Sequence, residues 1–403
     1  MALKLKKIKK LKIKKKLKKL KNFKLKDIKN IKLEKITLKT VLKILAVIFA
    51  VIILAVGIKF ATMLNFEEEV VEGETGFIDI ADDGDEDDSD LFPEEDGDIA
   101  TLNELRNAKN LSTLLKNWAT MGEDSLMKSK NVVNFLIIGV DKGGRNSDVI
   151  MMMSLNKQTK KIFLTSFFRD SYTYIKSSYG DKYAKINAAY ANGGAKLLIE
   201  TLQNDYKIAI DHYVSVNFTS FVEIVDLIGG VNVTVKPYEA KAVGLNCPSG
   251  EDVLLNGEQA LMFCRIRKCD VDGDISRTRR QRMFISSLIN RAQELSVSQV
   301  AEVIETLFDY VKTDCSSVKL ISYATQAILN KWYDYEIVSQ SVPSLEHRMD
   351  YRGFAWVWIV DYPGAAKDLQ EAIYGESNIE LAKDRVTAID IMRKSGNTGS
   401  ANP

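Results

Sequence analysis

The sequence predicts an α/β sandwich: a mixed central sheet flanked by helices and preceded by one transmembrane helix. Three observations lead there. From about residue 131 onward, short β-branched apolar runs alternate with segments of helical periodicity. One run, "VVNFLIIGV" at 132–140, is almost uninterrupted, as expected of a strand buried on both faces. The 24 residues at 41–64, "VLKILAVIFAVIILAVGIKFATML", carry only Lys43 and Lys59, both near the ends, where long side chains snorkel.

Charge supports the membrane reading. The formal net charge of +2 averages very unequal segments. Residues 1–40 hold 18 lysines against Asp27 and Glu34, and residues 65–98 hold 17 acids and no base. The remainder is close to neutral, which argues against broad, non-specific nucleic-acid binding. The basic flank places 1–40 in the cytoplasm and everything after about 65 outside the cell. A cleaved signal peptide is the competing reading of 41–64, but the basic stretch before it is too long and no small-x-small site follows. Ile8, Leu11, Leu17, Leu20, Ile28 and Ile31 fall at helix-like steps, so the lysine segment is expected on anionic membrane lipids; a solvated tail is the alternative. Residues 65–98 lack the apolar content to fold and read as a disordered extracellular linker. Cys247, Cys264, Cys269 and Cys315 then lie outside, where disulfides form, and four cysteines allow three full pairings.

The elements follow in order. Residues 99–130 are a helical lead-in with Leu102, Leu105, Leu111, Leu114 and Leu115. Strands are predicted at 132–140, 149–156 and 161–168, the last two separated by a polar turn at Lys157–Lys160. Residues 185–206 begin extended and continue as a helix carrying Leu197, Leu198 and Leu202. A strand at 212–218, a helix at 219–230 ended by glycine and a strand at 231–235 come next. "NGEQALMF" (256–263) is a short helical turn leading into "CRIR", read as a strand, and a helix runs from Ser276 to about Leu295. These segments make a main domain at 131–295. A helical and mixed extension covers 296–394, with helices at about 297–312 and 316–330, and a disordered tail covers 395–403.

Four polar clusters sit at predicted strand ends. Asp141 and Asp148 flank a glycine-containing loop with Arg145, and two carboxylates on one loop suit a hard divalent cation such as Mg2+ or Mn2+; ordinary turn chemistry is the plainer explanation. Arg169 and Asp170 end a strand, as a salt bridge or as ligand groups. Lys185 and Asn187 precede a helix, a placement that suits a phosphate or simply an N-cap at Asn187. Residues 264–282, "CRIRKCDVDGDISRTRRQR", hold six of the fourteen arginines. On a strand, Arg265 and Arg267 share one face, and Arg277 and Gln281 are spaced i, i+4 on the following helix, with Ser276 as its N-cap. Their guanidinium forks suit phosphate oxygens, while Arg279 and Arg282 read as surface.

Sharper alternatives fail. The glycine of "DVDGD" comes too early for a calcium loop, and position twelve from Asp270 is Gln281. Cys264 and Cys269 lack a second pair at zinc spacing. His212 and His347 are the only histidines and have no serine-hydrolase context; His212 reads as packing at a strand start.

The run of "NFLIIGVD", "SDVIMMMSLN", "SFFRDSY", "KINAAYANGG", "HYVSVNFTSFVEIVDLIGGVNVTV", "LLNGEQALMFCRIR" and "GDISRTRRQR" resembles the extracellular domain of the LytR-CpsA-Psr family over about 134–292. The resemblance implies that 131–295 is a catalytic domain. It implies a cell-wall phosphotransferase that moves a glycopolymer from a polyprenyl-pyrophosphate carrier to a peptidoglycan sugar hydroxyl, with Mg2+ as cofactor. By the same resemblance Asp141 and Asp148 are metal carboxylates, and Arg169, Arg265, Arg267 and Arg277 bind pyrophosphate, with Gln281 beside them and Lys185 an approximate match. The family tends to place an arginine two residues before the second aspartate; here that position is Asn146, and Arg145 stands one residue earlier. Asp141 is the candidate general base, with metal ligation as its competing role. The lipid chain is expected between the sheet and helices such as 219–228 and 277–293. Two other functions compete: a non-catalytic polyprenyl-phosphate-binding module, and a transcriptional attenuator, which the predicted topology opposes.

Overall fold

The structure, a computed structural model, describes residues 99–122, 126–141, 144–178, 180–245, 251–267, 273–294, 311–352 and 356–393. The lysine segment, the apolar run 41–64, the acidic linker, Cys247, Cys269, residues 297–310 and the tail from 395 lie outside the described residues. Among the described residues no helix is long and apolar enough to cross a membrane.

Helix α1 (Ile99–Thr120) leads into a meander of β1 (Val132–Val140), β2 (Ser147–Asn156) and β3 (Lys161–Phe167). A hairpin of β4 (Tyr172–Ile175) and β5 (Lys182–Lys185) precedes α2 (Asn187–Tyr206), which is kinked at Gly193 and Gly194. Strand β6 (His212–Asn217) lies parallel to β1. There follow α3 (Phe218–Leu227), β7 (Val231–Val235), α4 (Pro237–Ala242), β8 (Glu251–Leu255), α5 (Gly257–Arg265) and α6 (Gly273–Glu294). The chain continues through β9 (Val311–Thr313), α7 (Ser317–Leu329) and β10 (Glu336–Val342). It then forms a hairpin of β11 (Arg348–Tyr351) and β12 (Val357–Val360), followed by α8 (Tyr362–Tyr374) and α9 (Ala388–Arg393).

The six-stranded sheet has the order β10-β3-β2-β1-β6-β9. Its mixed pairing matters for the site. β1 and β6 are parallel, whereas β1, β2 and β3 alternate, so the ends of β1, β3 and β6 and the start of β2 meet at one end of the sheet. Both edge strands, β9 and β10, come from the stretch after 296. Residues 311–312, expected at the end of a helix, belong to β9.

Alternation along the strands makes two different faces. On one face Leu136, Ile138, Ile150, Met152 and Phe163 join the main core with α1, α2, α8 and the β11–β12 hairpin. On the other, Met151, Leu155, Ile162 and Leu164 are buried, but Ile137, Val149, Met153 and Ile337 are only half-buried under Ile285 of α6 and Tyr323 of α7. A separate core under the β7–β8 hairpin gathers Val225, Val231, Phe263 and Phe284. Helices α3 and α5 cross there so closely that a Cβ on Gly257 would stand 2.2 Å from the Val222 carbonyl oxygen.

Two sequence expectations are corrected here. "CRIR" is not a strand: Asn256 and Gln259 form a capping box, and Ala260, Phe263 and Cys264 recur at helical spacing, so α5 continues through Arg265. Ser276 is not an N-cap, because α6 starts at Gly273 and carries Ser276 buried in its first turn.

Candidate active site

Four segments converge at the shared end of the sheet. Asp141 follows β1 and organises its own loop: Oδ1 accepts from the Arg145 amide at 3.0 Å and Oδ2 from Asn146 Nδ2 at 3.1 Å. The Arg145 side chain is exposed. The β1–β2 register steps from Gly139↔Val149 to Val140↔Ser147, which leaves Asp148 as an extra residue. A bulge of this kind re-aims a side chain. Asp148 reaches the end of β3, where Arg169 Nη1 donates to its Oδ1 at 2.7 Å.

Arg169 is the hub. It is 8% exposed, and its Nε lies 3.4 Å from Asp170 Oδ2. Lys185 Nζ, at the end of β5, lies 3.6 Å from Asp170 Oδ1. Burial of these charges is tolerable only because they alternate in sign. The start of α2 is tied to the same place: the Asn187 amide donates to the Arg169 carbonyl at 3.2 Å, and the Ile186 amide to that of Ser171 at 2.9 Å. Asn187 is therefore the first helical residue and not a cap, and no side chain caps this helix.

Helix α6 brings the second half. Arg277 is 3% exposed and ion-paired with Asp274, one turn earlier, while its Nε has no hydrogen-bond partner among the described residues. Burial pulls its pKa down to about 10, Asp274 opposes this, and the nearby charges of Arg169 and Arg267 lower it further while Asp148 raises it. Arg277 is thus a cation at neutral pH, and it shares one electrostatic neighbourhood with Arg169, Arg267 and Asp148. Gln281, one turn after Arg277, is buried, and its Nε2 donates to the Cys264 carbonyl at 3.4 Å across the α5–α6 join.

Arg265 and Arg267 do not act as a strand pair. Arg265 ends α5, is exposed, and holds its guanidinium 4.6 Å from the centre of the Phe218 ring. Ile266 turns the chain, and half-buried Arg267 follows it toward Arg277. Arg282 is not a surface residue: it is 7% exposed, burial pulls its pKa down to about 10, and its Nε donates to Ser339 Oγ on β10 at 2.8 Å. It is covered because α6 lies between the sheet and the small core, which leaves little of its circumference to water.

Several supporting residues escaped the sequence reading. Arg280 is fully buried; its Nε donates to Glu239 Oε1 at 2.7 Å and its Nη1 to the Ile266 carbonyl at 2.8 Å. This ties α6 to α4 and to the residue preceding Arg267. Asp274 neutralises Arg277, and their i, i+3 spacing was the available signal; Asp170 pairs with Arg169, as the strand-end reading allowed. Cys264 is free and buried, and burial pushes its thiol up to about 12, so it is unreactive at neutral pH. Cys315 is free as well. His212 packs at the start of β6 against Phe135 and Tyr323.

Among the described residues no group of three or more metal-ligating side chains occurs. Asp141 and Asp148 each carry hard oxygen donors, of the kind that suits a cation completed by phosphate oxygens and water and not an all-protein cage; Asp141 accepts from its own loop and Asp148 Oδ1 from Arg169. Chemically, the site offers clustered cations for a multiply charged anion, at the end of a sheet face that is apolar and incompletely covered.

The model of the LytR_cpsA_psr family matches residues 101–372. The chain is 35% identical over 211 residues to the polyisoprenyl-teichoic acid–peptidoglycan teichoic acid transferase TagU of Oceanobacillus iheyensis, covering 50% of this chain and 65% of that protein. To TagU of Bacillus mycoides it is 34% identical over 267 residues, covering 65% of this chain and 83% of the relative. Among solved structures, protein gbs0355 of Streptococcus agalactiae superposes with a TM-score of 0.53 at 25% identity, over 65% of this chain and 95% of that one. TagV of B. subtilis does so at 0.50 and 25% identity, over 61% and 98%.

Proposed function

Because the chain belongs to the LytR-CpsA-Psr family, we propose that it is a membrane-anchored phosphotransferase acting outside the cell. It takes a glycopolymer from a polyprenyl-pyrophosphate carrier and joins it to a peptidoglycan sugar hydroxyl. The observation that carries this reading is the convergence of Arg169, Arg267 and Arg277 with Asp148, beside the half-packed sheet face.

The residues divide the work. Arg169, Arg267 and Arg277 hold the two phosphates and neutralise the charge that builds at the reacting phosphorus; Lys185 reinforces the site through Asp170. Arg265, on the exposed end of α5, and Arg145, on the Asp141 loop, lie at the rim, where they meet the outer phosphate oxygens. Gln281 acts by holding α6 against α5. Asp141 and Asp148 are the carboxylates for Mg2+ or Mn2+, which when bound supplies further neutralisation of phosphate charge. Asp141, whose described contacts include the Arg145 amide but no guanidinium, is the base that takes the acceptor's proton, with metal ligation as its competing role. The polyprenyl chain lies along Ile137, Val149, Met153 and Ile285. The lysine-rich segment 1–40 on anionic lipids and the span 41–64 keep this face near the carrier.

The test is transfer by the full chain, in detergent, from lipid-linked polymer to a peptidoglycan acceptor, with and without EDTA. Metal-dependent formation of the phosphodiester product is expected. Tight lipid binding without transfer would replace this reading with a binding module.

A further inference from the structure

The β11–β12 hairpin carries a second set of ligand-type side chains beside the phosphate cluster. One face of the hairpin, with Tyr351, Val357 and Ile359, is buried in the main core. The other carries half-buried Arg348, Asp350 and Trp358, with Asp350 directly opposite Trp358, whose indole also packs against the main core. The Arg348 guanidinium lies 4.6 Å from the Phe168 ring centre and 5.0 Å from that of Trp358, and its Nη1 donates to the Pro343 carbonyl at 2.8 Å. Trp356 packs edge-on to Trp358 at 5.9 Å. The Trp358 amide donates to the Asp170 carbonyl at 3.0 Å, and Phe168 immediately precedes Arg169. This aromatic platform therefore abuts the arginine hub. Trp358 Nε1, Asp350 Oδ1 and Arg348 Nε are buried and have no hydrogen-bond partners among the described residues, while Asp350 Oδ2 accepts from Arg352 Nε at 3.3 Å.

We propose that this platform is the acceptor subsite, binding a pyranose ring of the glycan strand that receives the polymer. Flat indoles pack against the C–H face of a sugar ring, and a carboxylate and a guanidinium beside them match its hydroxyls. The inference rests on the proposed transfer reaction, which also fixes which sugar binds here. In that reaction the acceptor oxygen bonds to the polymer-bearing phosphorus, the bond from that phosphorus to the bridging oxygen breaks, and polyprenyl phosphate leaves with the electron pair. Attacking and leaving oxygens stand roughly in line. On the proposed reading the lipid lies along the half-packed face, whereas the hairpin packs into the core of the opposite face. The side facing the leaving lipid phosphate across the phosphorus is therefore the hairpin side.

Two measurements on the full chain test this. In transfer assays, Trp356→Ala and Asp350→Asn should each raise KM for soluble uncrosslinked peptidoglycan oligomers about tenfold. KM for the lipid-linked donor and kcat should stay within about twofold, and Trp358→Phe should keep part of the acceptor affinity that Trp358→Ala loses. An unchanged acceptor KM, or a rise in donor KM instead, overturns the proposal. Without any turnover, tryptophan fluorescence should titrate saturably with N-acetylglucosamine oligomers in the wild type and not in Trp356→Ala; a flat wild-type titration also overturns it. If the wild type transfers nothing while the titration saturates, the reaction fails and the sugar platform stands.

Discussion

The two faces of the six-stranded sheet are built from the same strands and finished differently. On one, Leu136, Ile138 and Met152 are fully sealed beneath helices and the hairpin. On the other, their neighbours Ile137, Val149 and Met153 are only half-covered. A strand has to be apolar on both sides to serve either purpose, so its composition does not separate core from binding surface. What separates them is the cover. The sealed face has several helices and the hairpin over it. The open face has α6, held off by its own packing against the small core through Phe284, and α7. The arginines cluster at the end of the sheet, where an anion attached to an apolar chain has both of its needs met.

Four substitutions or conditions sharpen that contrast. Leu136→Ala on the sealed face should cost about 2–5 kcal/mol in urea unfolding, because the cavity has no way to relax. Arg277→Ala should lower transfer by about 10²–10³-fold, the cost of removing one preorganised charge donor, and Arg277→Lys should recover little of it. On the open face, Val149→Ala should change stability by under about 1 kcal/mol but raise KM for the lipid-linked donor. Equal stability losses at Leu136 and Val149 would erase the distinction between the faces.

The fourth concerns pH at the edge of the sealed side. His347 Nδ1 lies 3.1 Å from Asp361 Oδ2 and its Nε2 lies 3.0 Å from Asp368 Oδ2, while Arg385 clasps Asp361. Gly364 makes room, since a Cβ there would stand 2.3 Å from the imidazole. The hydrogen bond with Asp361 raises the His347 pKa above its ordinary 6.5, with Asp368 and Glu346 adding to it and burial opposing. Burial alone would raise Asp361, but Arg385 and His347 outweigh it and hold the carboxyl at about 2. The His347 contribution is complete below 6.5 and fades as pH rises through its elevated value. The Asp361 contribution is complete above 3.8 and fades as pH falls toward 2. Urea midpoints should therefore drop between mildly acid and alkaline pH in the wild type, and drop less in His347→Gln.

Much of this was legible from residues alone. Strands β1 and β7 fall where their apolar and alternating patterns put them, because burial on both faces or on one writes a distinct period. The pairing of Arg169 with Asp148 was not legible, because it depends on a one-residue bulge and on an antiparallel register that no local pattern encodes. Arg265 misled because a period-two arginine pair also fits the end of a helix, and the capping box at Asn256 was the stronger signal. The stretch after 296 showed no sharp motif, yet it supplies both edges of the sheet and the tryptophan hairpin. Edge strands are short and half-exposed, so they carry little hydrophobic signature.

The buried pair of Arg280 and Glu239 has a consequence for how this protein can change. Losing either partner alone strands a charge in a dry interior, at a cost of about 3–5 kcal/mol. Exchanging both for apolar residues of matching volume costs far less, but a chain altered one codon at a time must first pass through the damaged intermediate. The helix that carries Arg277 and the small lobe that carries Glu239 are therefore bound as a single heritable block. Grafting that lobe from another protein would succeed only if the helix came with it.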